Sequence, residues 1–240
     1  MEERTEWRLW AWNLSAFVYE WAYIQVAHQV DADLLAYLGE RVVGATVADC
    51  GCGPGVVSEK FLQAGAATVV AIDVNAAMIE KAQARLNHRQ STGQILVRHL
   101  SYEGKTLLAL RQHELEGRGF DIVLFKRSLY MPRPRALHTL RQAAAALQAN
   151  GVIVVVHPER LLYRYAFAPP LGITRYTPFH LVNRAISRVA EYCGLEEYTL
   201  YSRGELLQLL REAVPDAAVE LIPSQQRPYN LAALHPSCSL

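Results

Sequence analysis

The segment Val47-Ala48-Asp49-Cys50-Gly51-Cys52-Gly53-Pro54-Gly55 constrains this chain more than any other. Thr46-Val47-Ala48 reads as a buried strand, and the glycines at 51, 53 and 55 turn the chain sharply after it. A helical pattern follows through Val56, Val57, Phe61 and Leu62, with Gly65 placed to close it. Such a turn presents free backbone N–H groups and the positive end of a helix dipole at the strand's carboxyl end. The unit therefore reads as the opening of an α/β sheet whose strand ends receive a ligand.

The pattern continues in that rhythm. Thr68 to Ile72 is a β-branched strand closed by Asp73, and Asn75 is placed to cap a helix running to about Asn87. Ile95 to Leu100 is a third strand, followed by a short helix around Leu107 to His113. Phe120 to Phe125 is the fourth strand, and the Ala-rich helix Arg133 to Leu147 stops near Asn150-Gly151. Val152 to Val156 is the fifth. Strands alternating with helices of this length predict an α/β fold with a doubly wound, mostly parallel sheet. Two late strands, Val219 to Ile222 and Tyr229 to Leu234, complete seven as a hairpin with one strand antiparallel.

Two segments lie outside this alternation. Glu6 to Leu38 is helical in pattern and holds all four tryptophans, Trp7, Trp10, Trp12 and Trp21. Residues 158 to 178 carry Pro158, Pro169, Pro170 and Pro178 among aromatics, ahead of a helix from about Phe179 to Cys193. Ser202 to Glu205 is a capping-box pattern opening a helix to about Ala213. The expected division is an N-terminal helical cap over 1–40, an α/β core over 41–157 and a cap insertion over 158–200. A helix and hairpin over 201–240 would complete the sheet.

Charge and cysteine usage narrow the function classes. Lys and Arg number 24 against 23 Asp and Glu, so there is no electrostatic case for a nucleic-acid groove or an anionic membrane surface. No apolar run is long enough to span a bilayer, and MEERTEWRLW is not expected to be a signal peptide. Cys50, Cys52, Cys193 and Cys238 suggest neither a disulfide framework nor a zinc site, so the expected compartment is the cytoplasm and no metal is expected.

The strand-end residues specify the ligand more closely. Asp49 is placed to pair with a ligand ammonium, and Asp73 to accept from the two hydroxyls of a ribose. A dinucleotide-binding fold shares the ribose logic, but its fingerprint needs glycine at position 56, where this chain has Val56. Valine crowds a pyrophosphate. S-adenosylmethionine has no pyrophosphate and does carry an ammonium.

With these residues the chain resembles the class I S-adenosylmethionine-dependent methyltransferases of the small-molecule, ubiquinone-biosynthesis-like type. VADCGCGPG resembles the family's first motif, AIDVN the acidic end of its second strand, FDIVLFKRSLYM the fourth-strand segment and GVIVVVHPE the fifth. The late GLEEYTLYSRGELLQLLREA is also similar, and the likeness covers roughly residues 40 to 235. The resemblance implies a Rossmann-like methyltransferase sheet. It implies that Asp49, Gly51 and Gly53 hold the methionine part, Asp73 the ribose, and that Val74 packs on the adenine, with Gly55 also in the cofactor-binding set. It also implies that Tyr19 reaches the cofactor from the N-terminal helices. The family often has an acidic residue after the third strand; here His99-Leu100-Ser101 stands there, so a backbone group at Leu100 or the Ser101 hydroxyl is expected to meet the adenine. Lys126 joins the expected cofactor set as a charge at the carboxyl end of the fourth strand.

Methyl transfer from a sulfonium needs alignment, exclusion of water and sometimes removal of a proton. His157, at the exit of the fifth strand, is the first candidate for a base or for orienting a substrate hydroxyl; Tyr130 and His180 are weaker candidates. The acceptor pocket is expected over the ends of the fourth and fifth strands. Its floor would be Ser128, Tyr130 and His157, roofed by the N-terminal helices and the 160–180 insertion. Tyr163, Tyr165, Phe167 and Tyr176 with Arg160, Arg164 and Arg175 suit an aromatic or acidic small-molecule acceptor, or a homodimer contact. The expected reaction is methylation of an O, N or C atom of a small metabolite, leaving S-adenosylhomocysteine. The alternatives are RNA or protein methylation, or a non-catalytic S-adenosylmethionine-binding scaffold.

Overall fold

The computed structural model describes residues 30–87, 93–158, 201–223 and 229–236. Residues 30–38 form a helix, α1, which runs into a 3-10 turn at Gly39–Val42. Then come β1 (Thr46–Cys50), α2 (Val56–Gln63), β2 (Thr68–Asp73), α3 (Ala76–Asn87) and β3 (Gln94–His99). They are followed by α4 (Thr106–Glu114), β4 (Phe120–Lys126), α5 (Arg133–Ala146) and β5 (Leu147–Pro158). The last elements are α6 (Arg203–Ala213), β6 (Ala218–Ile222) and β7 (Tyr229–His235).

The seven strands form one sheet in the order β3-β2-β1-β4-β5-β7-β6. Strands β1 to β5 pair in parallel, while β7 runs antiparallel to both β5 and β6. The order reverses between β1 and β4, which makes that junction the switch point where open sheets receive ligands.

Side-chain alternation divides the core into two layers. Val47, Val69, Ala71, Leu124 and Val154 face α1, α2 and α3, where they meet Leu34, Leu38, Phe61 and Ala82. Ala48, Val70, Val123, Phe125 and Val155 face α4, α5 and α6, where they meet Leu107, Leu140 and Leu209. With helices on both faces, the central strands are apolar over most of their length, as a parallel sheet requires.

Local signals explain several boundaries. Asn75 Oδ1 accepts from the backbone N–H of Ala77 (2.9 Å) and Met78 (3.2 Å), capping α3. Around Gly65 the bonds Ala66 N→Phe61 O and Gly65 N→Leu62 O close α2 as a Schellman motif. β5 begins earlier than the sequence predicts. The helix ends at Ala146, and Leu147 pairs with Phe120 across a register irregularity, its side chain buried in the second layer. Burial of Leu147 thus ends the Ala-rich helix three residues before Asn150-Gly151. The N-terminal tryptophans, Tyr19, the 159–200 insertion and His180 lie outside the described residues.

Candidate cofactor and acceptor site

The glycine turn crosses the sheet at the switch point. Gly51 N and Cys52 N both donate to Ile72 O, at 2.7 and 2.9 Å, so the turn folds over the end of β2. Gly51, Gly53 and Gly55 all have left-handed φ, at 80°, 54° and 75°. Their surroundings differ. A Cβ at Gly51 would lie 2.5 Å from Ser128 Cβ, so the turn packs directly against the exit of β4. At Gly53 a Cβ would meet nothing within 4 Å among the described residues. The middle of the turn is therefore uncovered by them, beside the N-terminus of α2.

Asp73 braces this arrangement. Its Oδ2 accepts from Gly53 N at 2.9 Å and its Oδ1 from Asn75 N at 2.9 Å. A carboxylate has about four acceptor positions, so acceptor capacity remains beyond these N–H groups. Burial raises the carboxyl's pKa, and the N–H groups of Asn75, Gly53 and Val74 oppose that rise. Beside it, Val74 and Leu100 are two of only three large hydrophobic side chains strongly exposed among the described residues, at 48% and 43%. They come from the adjacent ends of β2 and β3, tied by Leu100 N→Asp73 O (3.0 Å). His99 Nε2 lies 2.9 Å from Val74 O, holding the same loop from β3. Ser101 is exposed, and its Oγ accepts from Glu103 N at 3.2 Å.

Asp49 lies lower than the turn. It is buried, and Ser58 Oγ donates to its Oδ2 at 2.6 Å. Burial pushes its carboxyl up to about 6, against the Ser58 hydroxyl and the Lys126 ammonium, which favour the ionised form. Lys126 is itself buried at the end of β4 and pairs with Asp31 of α1. Asp31 also receives Lys60 Nζ at 2.7 Å. The ammonium of Lys126 is driven down to about 8 by burial, with Asp31 opposing.

The exits of β4 and β5 bring together the three expected floor residues. Ser128 Oγ is buried with no partner among the described residues, and its carbonyl accepts from Tyr102 O–H. Arg127, one residue earlier, is held at φ 56°, a conformation that costs a side-chain-bearing residue about 1 kcal/mol or more. Tyr130 is half-buried, with its ring 5.4 Å from that of His157. His157 is fully buried, and its Nε2 accepts from Tyr201 N at 3.0 Å. Burial lowers its pKa to about 4, so the ring is neutral and carries its proton on Nδ1. That Nδ1 has no partner among the described residues. With Nε2 occupied and Nδ1 protonated, the ring offers a hydrogen-bond donor rather than a site for taking up a proton.

Sequence reading did not single out Asp31, Ser58, Tyr102 or Tyr201. One signal was present: Asp31 shares a helix face with Leu34 and Leu38 at i, i+3 and i+7, so it is an acid on a buried stripe. The others depend on pairing between distant segments. Among the described residues, no three His, Cys, Asp or Glu side chains cluster as a metal site, and no helix is long and apolar enough to cross a membrane.

Residues 47–151 match the family described as a methyltransferase domain. No curated protein matches the sequence. Solved structures share the fold. Magnesium protoporphyrin IX methyltransferase from Synechocystis PCC 6803, with bound SAM, is 15% identical with a TM-score of 0.56, over 87% of this chain and 79% of that one. The 1,6-didemethyltoxoflavin-N1-methyltransferase of Burkholderia thailandensis, with bound 1,6-didemethyltoxoflavin and S-adenosylhomocysteine, is 17% identical with a TM-score of 0.59, over 98% of this chain and 90% of that one. Mitomycin 7-O-methyltransferase is 16% identical with a TM-score of 0.59, over 88% of this chain and 54% of that one.

Proposed function

From a chain that carries the class I S-adenosylmethionine-dependent methyltransferase fold, we propose methyl transfer from S-adenosylmethionine to an O, N or C atom of a small-molecule metabolite. The observation that carries this reading is the pairing of Asp73 with an open glycine turn. One carboxylate holds Gly53 and Asn75, keeps acceptor capacity, and stands beside a turn whose Gly53 would bring a side chain against no described residue. The exposed Val74 and Leu100 lie next to it and suit the faces of a flat base.

When bound, S-adenosylmethionine supplies a methyl group already activated on a sulfonium. The chain's residues bind and orient. Asp73 would hold the ribose, the N–H groups of the turn and of α2 the methionine carboxylate, and Asp49 the ammonium. Ser128, packed against Gly51, stands where the cofactor and acceptor spaces meet. His157 Nδ1–H is suited to donate to an oxygen or nitrogen of the acceptor. Tyr130 borders it. This division of labour asks little of a general base, in keeping with an activated methyl donor.

The finer identity rests on sequence. Tyr163, Tyr165, Phe167, Arg160, Arg164 and Arg175 favour an aromatic or acidic acceptor, and they equally suit a homodimer contact. The ubiquinone-biosynthesis-like subtype rests on motif resemblance alone. The fourfold division at residues 40, 157 and 200, with the first and third segments as caps, belongs to the same proposal. So does a cytoplasmic location, in keeping with the buried free thiols Cys50 and Cys52. Calorimetry with S-adenosylhomocysteine in excess chelator tests the reading. Saturable binding is expected without added metal, and no heat at high protein concentration overturns it.

A further inference from the structure

The register of the sheet places four charges in one layer beneath the glycine turn. Asp49 pairs with Leu124, so Lys126, two residues further along β4, points to the same face as Asp49. That face is covered by α1 and α2. From α1 comes Asp31, 1% exposed; from α2 come Ser58 and Lys60. Asp31 joins Lys126 to Lys60, and Ser58 holds Asp49. Two acids and two bases therefore fill a layer otherwise made of Val47, Leu124, Leu34 and Phe61.

Burying such a set is costly unless every charge has a counterpart. Hydrophobic residues would seal the same space at lower electrostatic cost, so packing alone does not account for the cluster. Asp49 is the member that lies one residue below the turn, where an ionised carboxylate is useful. Burial works against that ionisation.

We propose that Lys126 and Asp31 are positioning residues: Lys126 keeps Asp49 ionised to receive the ammonium of the cofactor's methionine end, and Asp31 holds Lys126 in place from α1. Lys126 then acts through Asp49 rather than on the cofactor, and the N-terminal helix becomes part of the cofactor site. This inference rests on the S-adenosylmethionine reading above. Four groups act on Asp49. Lys126 of β4 and Ser58 of α2 favour the carboxylate, and Asp73 of β2 and Asp31 of α1 oppose it. Lys126 in turn faces Asp31, Asp49 and its neighbour Arg127.

The sign follows. Loss of the ammonium leaves Asp49 facing two acids, so its protonation moves to higher pH. A nearby opposite charge is worth about 1–3 pH units to a carboxylate. Loss of Asp31 removes a like charge from Asp49, but it also removes the partner that holds the buried ammonium of Lys126 protonated and in place, so Asp49 loses part of its support.

The test is calorimetry on the full chain between pH 5 and 8.5 with two probes. S-Adenosylhomocysteine carries the ammonium; 5′-methylthioadenosine lacks the whole amino-acid end. The parent is expected to lose S-adenosylhomocysteine affinity below about pH 6, where Asp49 protonates, and to show no such limb with methylthioadenosine. Lys126→Met should move the limb upward by about one to two pH units, a loss at pH 7 of about twofold for one unit and about tenfold for two, most of which recovers at pH 8.5. Asp31→Asn should move it upward as well, by less than Lys126→Met, and a limb unmoved or lowered there removes Asp31 from the positioning pair. A variant damaged only in structure would lose both probes at every pH, and that outcome, or a limb unmoved in Lys126→Met, overturns the inference. If Lys126→Met does not fold, Lys126→Gln, which retains a donor for Asp31, reads the same shift. A parent that binds neither probe overturns the cofactor reading itself and is distinct from either result.

Discussion

Asp73 shows how one side chain serves fold and ligand together. Its two oxygens hold the backbone of Gly53 and Asn75, so the carboxylate shapes the turn before any ribose arrives. Asp73→Ala is expected to weaken S-adenosylhomocysteine by roughly 1.5–3 kcal/mol, the worth of a hydrogen bond to a charged group. Circular dichroism of the variant should remain that of the parent, because Asn75 still caps α3 and Ile72 O still anchors Gly51 and Cys52. Undiminished affinity in the folded variant would leave Asp73 as a brace for the turn only. The adjacent Val56 makes the complementary point. It is buried as the first residue of α2, where a dinucleotide site needs glycine for close approach to a pyrophosphate.

At the scale of elements, α6 carries the β5 exit. Ser202 Oγ accepts from Glu205 N, and the Glu205 carboxylate accepts from Ser202 N, completing the capping box. The preceding residue, Tyr201, donates its N–H to His157 and its hydroxyl to Met131 O at 2.7 Å. The start of α6 thus fixes both the imidazole and the loop after β4. Ser202→Ala is expected to cost about 1 kcal/mol of stability, as loss of an N-cap does. Urea unfolding measures that cost. The expected companion is faster hydrogen exchange at Tyr201 and along the first turn of α6, with α2 and α3 unchanged. A uniform change across all helices would mean that the cap does not act locally.

For the molecule as a whole, the buried ionisable groups couple stability to pH in opposite senses. His157 titrates near 4 when folded against an ordinary 6.5, so its contribution is present above pH 6.5 and is lost as pH falls toward 4. Asp49 titrates near 6 against an ordinary 3.8, so the folded state takes up a proton over that range and gains there. The two partly cancel in the parent. Comparison with His157→Gln separates them, since glutamine can accept from Tyr201 N but does not titrate. Between pH 7 and 4.5 the parent is expected to lose up to about 3 kcal/mol more than the variant, the equivalent of a shift of about two pH units. Denaturant unfolding at the two pH values checks it, and parallel losses would mean that His157 is protonated without unfolding cost.

Local periodicity and turn chemistry were enough to read the seven strands, the alternation that makes the sheet parallel, the Asn75 cap, the Ser202 capping box and the glycine turn. Each depends on residues a few positions apart, so the chain declares them before it folds. The ends of β1 and β2, and with them Asp49 and Asp73, followed from the same local logic. Tertiary structure decided what the site residues can do. Asp49 is ionisable in any sequence, but only the β1–β4 register and the seating of α1 put Lys126 and Asp31 around it. From its position at a strand exit His157 reads as either a base or an orienting group, and which nitrogen is free depends on Tyr201, 44 residues away, which occupies its Nε2, and on the burial that keeps the ring neutral. The start of β5 moved for a similar reason, since Leu147 found Phe120 across the sheet. A side chain's chemical type is written in the sequence, but its protonation state and free valences depend on which distant groups fold against it.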